Sequence, residues 1–138
     1  MILVGTAMTF TWLGMVLAIS FLETPLKFRA PGVTVPIGLG IGRLVFRALN
    51  IAEAVFAAVL LTVMTAAPPP SRVVVSVLVA VAALLIQVAL IRPGLARRTN
   101  RVLAGEVVAR SGGHHWYVLL EIVKVAALIV SGVLLLRL

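Results

Sequence analysis

The chain has 138 residues, 62% hydrophobic and 12% charged, and twelve Lys/Arg against four acidic residues leave a net charge of +8. A soluble domain is typically about 45–50% apolar and about 25% charged, so this composition, with a mean hydropathy of +1.22, excludes an ordinary soluble domain and predicts a membrane protein. The absence of cysteine excludes disulfides, thiolate metal sites and cysteine nucleophiles. No nucleic-acid-binding motif accompanies the positive charge, which is read instead as a topology signal and an attraction to anionic lipid headgroups.

A membrane-crossing helix needs about 20 mostly apolar residues, and four segments qualify. The first is Val4–Leu22, "VGTAMTFTWLGMVLAISFL". No Lys or Arg precedes its apolar run, so it reads as a retained helix rather than a cleaved signal peptide. A connection over 24–35, "TPLKFRAPGVTV", follows. The second segment runs from Pro36 to Ala66 and is stopped by Pro68-Pro69-Pro70, which cannot continue a helix. The third is Val73–Ile91, followed by a basic connection over 92–115. There Leu95, Val102 and Val108 alternate with Arg97, Arg98, Arg101 and Arg110. This fits either a short amphipathic helix at the headgroups or a plain basic loop, and Gly105 weighs against the helix. The fourth is Trp116–Leu136. The expected fold is all-α: a polytopic four-helix transmembrane bundle with short loops, forming a single domain over 1–138.

Orientation follows from Lys and Arg in the short connections. The first has Lys27 and Arg29, with Arg43 and Arg47 just beyond, and the third has Arg92, Arg97, Arg98, Arg101 and Arg110. The second has only Arg72 and the C-terminus only Arg137. Connections one and three are therefore expected in the cytoplasm and both chain ends outside, in a bacterial cytoplasmic (inner) membrane.

The remaining polar residues gather on the same side. Glu23 closes the first helix, and Arg43, Arg47, Asn50 and Glu53 lie in the cytoplasmic half of the second. Gln87 and Arg92 lie toward that end of the third, and His114, His115, Glu121 and Lys124 open the fourth. Arg43, Arg47 and Asn50 are spaced i, i+4, i+7 along one helix face, with Glu53 one turn past Asn50; Glu121 and Lys124 are i, i+3 neighbours. Arg43 can snorkel to the headgroups, whereas Glu53, Glu121 and Lys124 lie deeper and need partners inside the bundle. The polar face of the second helix is thus expected to point inward and meet Glu23, Glu121 and Lys124. Two readings compete: a neutralised network that fixes packing, or a cavity open to the cytoplasm that binds a ligand or handles protons.

Other motifs carry less. His114 and His115 are weak metal or haem candidates, since adjacent helical residues point about 100° apart and no His-x-x-x-His or Glu-x-x-His spacing accompanies them. Beside Trp116 and Tyr117 they read better as interfacial residues. Gly38 and Gly42 in "GLGIG" could let two helices approach closely. No nucleophile–base arrangement or paired carboxylates are legible, so an enzyme is not expected, and no cofactor or metal is predicted. "LNIAEAV" at 49–55 aligns with "LEIVKVA" at 120–126, setting Asn50 beside Glu121 and Glu53 beside Lys124. That suggests two related hairpins about an axis along the membrane normal.

The order of these features resembles an uncharacterised family of small four-helix integral membrane proteins. "WLGMVLAISF" is similar to its Trp/Gly-containing first helix, and "GLGIGRLVF" to the start of its second. His114-x-x-Tyr117-x-x-x-Glu121 resembles its His-x-x-Ser-x-x-x-Asn pattern, with Ser and Asn replaced. The resemblance implies a four-helix bundle and no particular activity. The expected function is a small membrane transport or ligand-binding module, quite compatible with a homo-oligomer. The alternatives are a structural or accessory subunit of a larger membrane complex, or a haem- or metal-binding redox protein.

Overall fold

The computed structural model of the chain describes residues 1–108 and 112–138. Among the described residues there is no strand. Four helices are long and apolar enough to cross a membrane: α1 Ile2–Lys27, α2 Val35–Ala66, α3 Ser71–Leu103 and α4 Gly112–Leu136. Even the shortest, α4 with 25 residues, is about 37 Å long, against about 30 Å of bilayer hydrocarbon. The exterior is apolar on all sides, with Leu3, Leu44, Ile51, Leu85, Leu90 and Leu136 each more than half exposed. Such a surface suits lipid rather than water.

The helices form a ring in which α1 packs on α2 and α4, and α3 packs on α4 and α2. Helices α2 and α4 therefore face each other diagonally. Trp12, Val16, Leu60, Val77, Leu84 and Leu128 fill the centre. Close packing of α1 on α4 depends on Gly132, where an added Cβ would lie 2.6 Å from the Phe10 ring. Between α3 and α4, Ser131 Oγ lies 2.8 Å from Ser76 Oγ.

Two helices continue through prolines. Helix α1 passes Pro25 to reach Lys27, and α3 passes Pro93 to reach Leu103. Proline lacks an N–H and its ring presses on the carbonyl four residues back. In both helices a π-helical stretch precedes it, Leu17–Glu23 in α1 and Gln87–Ile91 in α3. The N–H of Thr24 bonds to the Ile19 carbonyl and that of Arg92 to the Gln87 carbonyl. This wider register makes room for the ring, so the helix continues instead of breaking.

The connections are correspondingly shorter than 24–35 and 92–115. Thr34 caps α2, its Oγ1 accepting from the Ile37 N–H at 3.4 Å. The basic stretch after Ile91 is helical over Arg92–Leu103, as a continuation of α3 rather than a separate surface helix. Val102 is buried there, and this stretch packs on α2. Gly105, at φ 94°, ends the helix. Its N–H bonds to the Val102 carbonyl at 3.1 Å, and the Glu106 N–H to the Arg101 carbonyl at 3.1 Å, the paired bonds of a Schellman stop. The glycine that argued against a helix in fact defines its end. Arg110 lies outside the described residues. Gly38 and Gly42 do not seat a helix: Gly38 accommodates the Phe28 ring from the 28–34 turn, and Gly42 lies under Lys27 Nζ.

Candidate functional site

Lys124 is the central residue of α4, with twelve residues on either side within Gly112–Leu136. A cation at that depth needs compensation, and three other side chains supply it. Its Nζ lies 2.5 Å from Glu53 Oε2 of α2 and 2.6 Å from Glu121 Oε1 of its own helix. It also donates to Gln87 Oε1 of α3 at 2.7 Å. Helix α1 closes the shell. Trp12 Nε1 donates to Glu53 Oε2 at 2.8 Å, and Ser20 Oγ to Glu121 Oε2 at 2.7 Å. Gln87 Nε2 faces the Tyr117 carbonyl at 3.2 Å and Glu121 Oε1 at 3.4 Å. Glu53, Glu121, Lys124, Gln87 and Trp12 are all at most 1% exposed. All four helices contribute, and the Glu53–Lys124 bridge runs across the diagonal of the ring.

The two π-helical stretches have a positional role here. Ser20 lies in the first and Gln87 opens the second, so each supplies a hydrogen-bonding group to the cluster. A π turn rotates the following side chains relative to an α register, and such turns recur at functional sites. Glu53 and Lys124, which the alignment of 49–55 with 120–126 sets side by side, contact each other.

Above the cluster, toward the end that carries most of the basic residues, lies an aromatic tier. The Arg92 guanidinium sits 5.0 Å from the ring centroids of both Phe46 and Tyr117. Those rings meet edge to face at 5.9 Å. Among the described residues Arg92 makes no ion pair. Among the described residues, four buried polar atoms in this region have no hydrogen-bond partner: Asn50 Oδ1, Glu53 Oε1, Arg92 Nη2 and Tyr117 Oη.

The polar residues expected to meet do so only in part. Glu53, Glu121 and Lys124 come together, but Arg43 and Arg47 do not join them; both are exposed. The helix wheel gives the reason. At about 100° per residue, Arg43 and Arg47 point roughly 80° and 120° away from Glu53, so one stripe cannot carry all of them inward. Arg43 bonds instead to Asn100 Oδ1, tying α2 to the end of α3. Asn50 falls between the two directions and is half-buried. Glu23 faces Lys27 one turn on at 3.7 Å and does not reach the cluster. His114 is half-buried and His115 exposed at the start of α4, their rings 5.7 Å apart and splayed by 73°. Among the described residues no three His, Cys, Asp or Glu are grouped to hold a metal ion.

Sequence reasoning missed Trp12 and Ser20 as partners, and it left Gln87 out of the site. A lone Gln in an apolar run was the available signal for Gln87; nothing marked Trp12 apart from a core residue. A cavity of about 30 Å³ lies at the opposite end, lined by Gly5, Leu60, Met64, Val73 and Leu135 among other residues, and its apolar walls offer no chemistry. No known protein family, curated protein or solved structure matches this chain.

Proposed function

We propose that the chain is a small integral membrane transport module whose working group is the Glu53–Lys124–Glu121 cluster, acting as a site for one exchangeable proton. The observation that carries this reading is the charge count. Two carboxylates surround a single ammonium group, whereas a packing device needs only one. Fully ionised, the cluster has one negative charge in excess; with one added proton it is neutral. Intramembrane ionisable groups of this kind mark ion and proton routes. The Lys and Arg bias toward one end supports an orientation with both chain ends outside and the basic end in the cytoplasm of a bacterial inner membrane. Exposed Arg43 and Arg47 suit anionic lipid headgroups there. One bundle of this size has little room for a substrate path, so the working form is a homo-oligomer.

The test is an infrared pH titration of the protein in lipid nanodiscs, paired with proton flux in liposomes carrying an internal pH dye. The parent is expected to show one titrating carboxylic C=O band that is lost or displaced in Glu53→Gln or Glu121→Gln, with flux falling at least tenfold. A parent in which no such band titrates overturns the reading. One observation favours a second reading, a structural or accessory subunit: Lys124 already has three close partners. In that case both variants lose stability, and no carboxyl proton exchanges in the folded parent.

A further inference from the structure

Five buried side-chain atoms among the described residues have no protein partner, and the four other than Glu23 Oε2 share a simple chemistry. Arg92 Nη2 and the Tyr117 hydroxyl are donors; Asn50 Oδ1 and Glu53 Oε1 are acceptors. Buried polar groups are almost always satisfied, by protein or by ordered water. Water accepts from two donors and donates to two acceptors, so it is the natural complement of such a set. An anion would satisfy only the donors, and a metal cation only the acceptors.

Their placement is ordered along the bundle. Asn50 lies one turn from Phe46, whose ring faces Arg92, and one turn from Glu53 on the other side. Tyr117 is only 7% exposed; the Arg92 guanidinium lies 5.0 Å from its ring centroid, and its carbonyl accepts from Gln87 Nε2, which also faces Glu121 Oε1. Tyr117 thus connects the aromatic tier to the charge cluster. The other groups around Glu53 are occupied: Lys124 and Trp12 hold its Oε2, Ser20 holds Glu121, and Gln87 holds Lys124. Oε1 of Glu53 takes part in none of these bonds.

We propose that Arg92, Tyr117 and Asn50 hold buried water that relays protons between the basic end of the bundle and Glu53 Oε1. The proposal rests on the reading of the cluster as a proton site and names its route of entry. In each transfer a water proton passes to the Tyr117 oxygen while the hydroxyl's own proton leaves through water to Glu53, so tyrosine ends unchanged. The Arg92 guanidinium attracts water oxygen and so turns the water protons toward the acceptors. Tyr117 and Asn50 are positioning and relay groups; Glu53 is the proton's destination.

The experiment is hydrogen–deuterium exchange of the titrating carboxyl group, followed by time-resolved infrared spectroscopy in nanodiscs. It compares the parent with Tyr117→Phe, which keeps the ring on Arg92 and Phe46, and with Asn50→Leu. Both variants are expected to slow exchange at least tenfold and to leave the carboxylic band amplitude unchanged, a split that a merely structural role would not produce. Unchanged exchange rates with the amplitude intact overturn the relay and leave the proton site standing. A parent with no titrating carboxyl overturns both, which separates the two failures. Circular dichroism confirms that each variant is folded, and Tyr117→Leu serves as a second variant if Tyr117→Phe admits water at the vacated position. Rapid exchange in both Tyr117 variants and in Asn50→Leu overturns the relay.

Discussion

Replacing Lys124 with methionine isolates what the buried charge contributes. The side chain is similar in length and apolar, so the change removes the ammonium group with little loss of packing. Lys124 contacts Glu53, Glu121 and Gln87 at 2.5, 2.6 and 2.7 Å. The contacts to Glu53 and Gln87 cross between helices, where hydrogen bonds average about 0.6 kcal/mol each, so these two alone predict a loss of about 1 kcal/mol. The substitution also leaves two carboxylates facing each other in a closed site, and stranding one partner of a buried ion pair costs about 3–5 kcal/mol. The second effect dominates, and a loss of about 3–5 kcal/mol is expected. Equilibrium unfolding in mixed detergent micelles, followed by circular dichroism, measures it. Adding Glu53→Gln and Glu121→Gln to Lys124→Met removes every charge from the site, and at least half the lost stability should return. A single variant within about 1 kcal/mol of the parent, or a triple variant no more stable than the single, would refute the reasoning.

Gly132→Ala should destabilise the bundle by about 1–3 kcal/mol through overpacking, because the new methyl group meets the Phe10 ring; the same unfolding assay should show recovery when Phe10→Ala is added. Gly105→Ala forces a left-handed backbone on a residue with a Cβ and should cost about 1–2 kcal/mol, seen as faster amide exchange over 101–106 with the four spans unaffected. Substituting both Arg43 and Arg47 with glutamine should reduce enrichment of anionic over zwitterionic lipid around the purified protein by about 1 kcal/mol per residue, measured by lipid mass spectrometry, without loss of the cluster's carboxyl signal.

Much of the architecture follows from hydropathy alone. Four apolar runs, a triple proline and two basic connections are strong signals because a bilayer imposes length and polarity together. The ends of α1 and α3 were not legible in the same way. The apolar runs end at Leu22 and Ile91, and only the π turns at Leu17–Glu23 and Gln87–Ile91 explain how the helices continue past Pro25 and Pro93. Depth in the sequence singled out Glu53, Glu121 and Lys124, which the structure buries together. The error over Arg43 and Arg47 came from treating i, i+4, i+7 spacing as a statement about direction. Spacing shows which residues share a face; it does not show whether that face is buried. Gln87 and Trp12 were harder still, since their partners lie 30 or more residues away in sequence and no local pattern records such a meeting.

The diagonal bridge between Glu53 and Lys124 has a consequence for the ancestry of the two hairpins. If an axis related the two halves, aligned positions that touch would have to lie near it. Two identical copies of the first hairpin, assembled in the same way, would set Glu53 against its own duplicate, and two copies of the second would oppose lysines. Only unlike halves are complementary. If the chain arose by duplication and fusion, this pair of opposite charges could appear only after the halves had become separately mutable, and once present it would make the fusion hard to reverse. Covalent linkage then does more than connect two hairpins: it guarantees a one-to-one supply of mutually dependent halves.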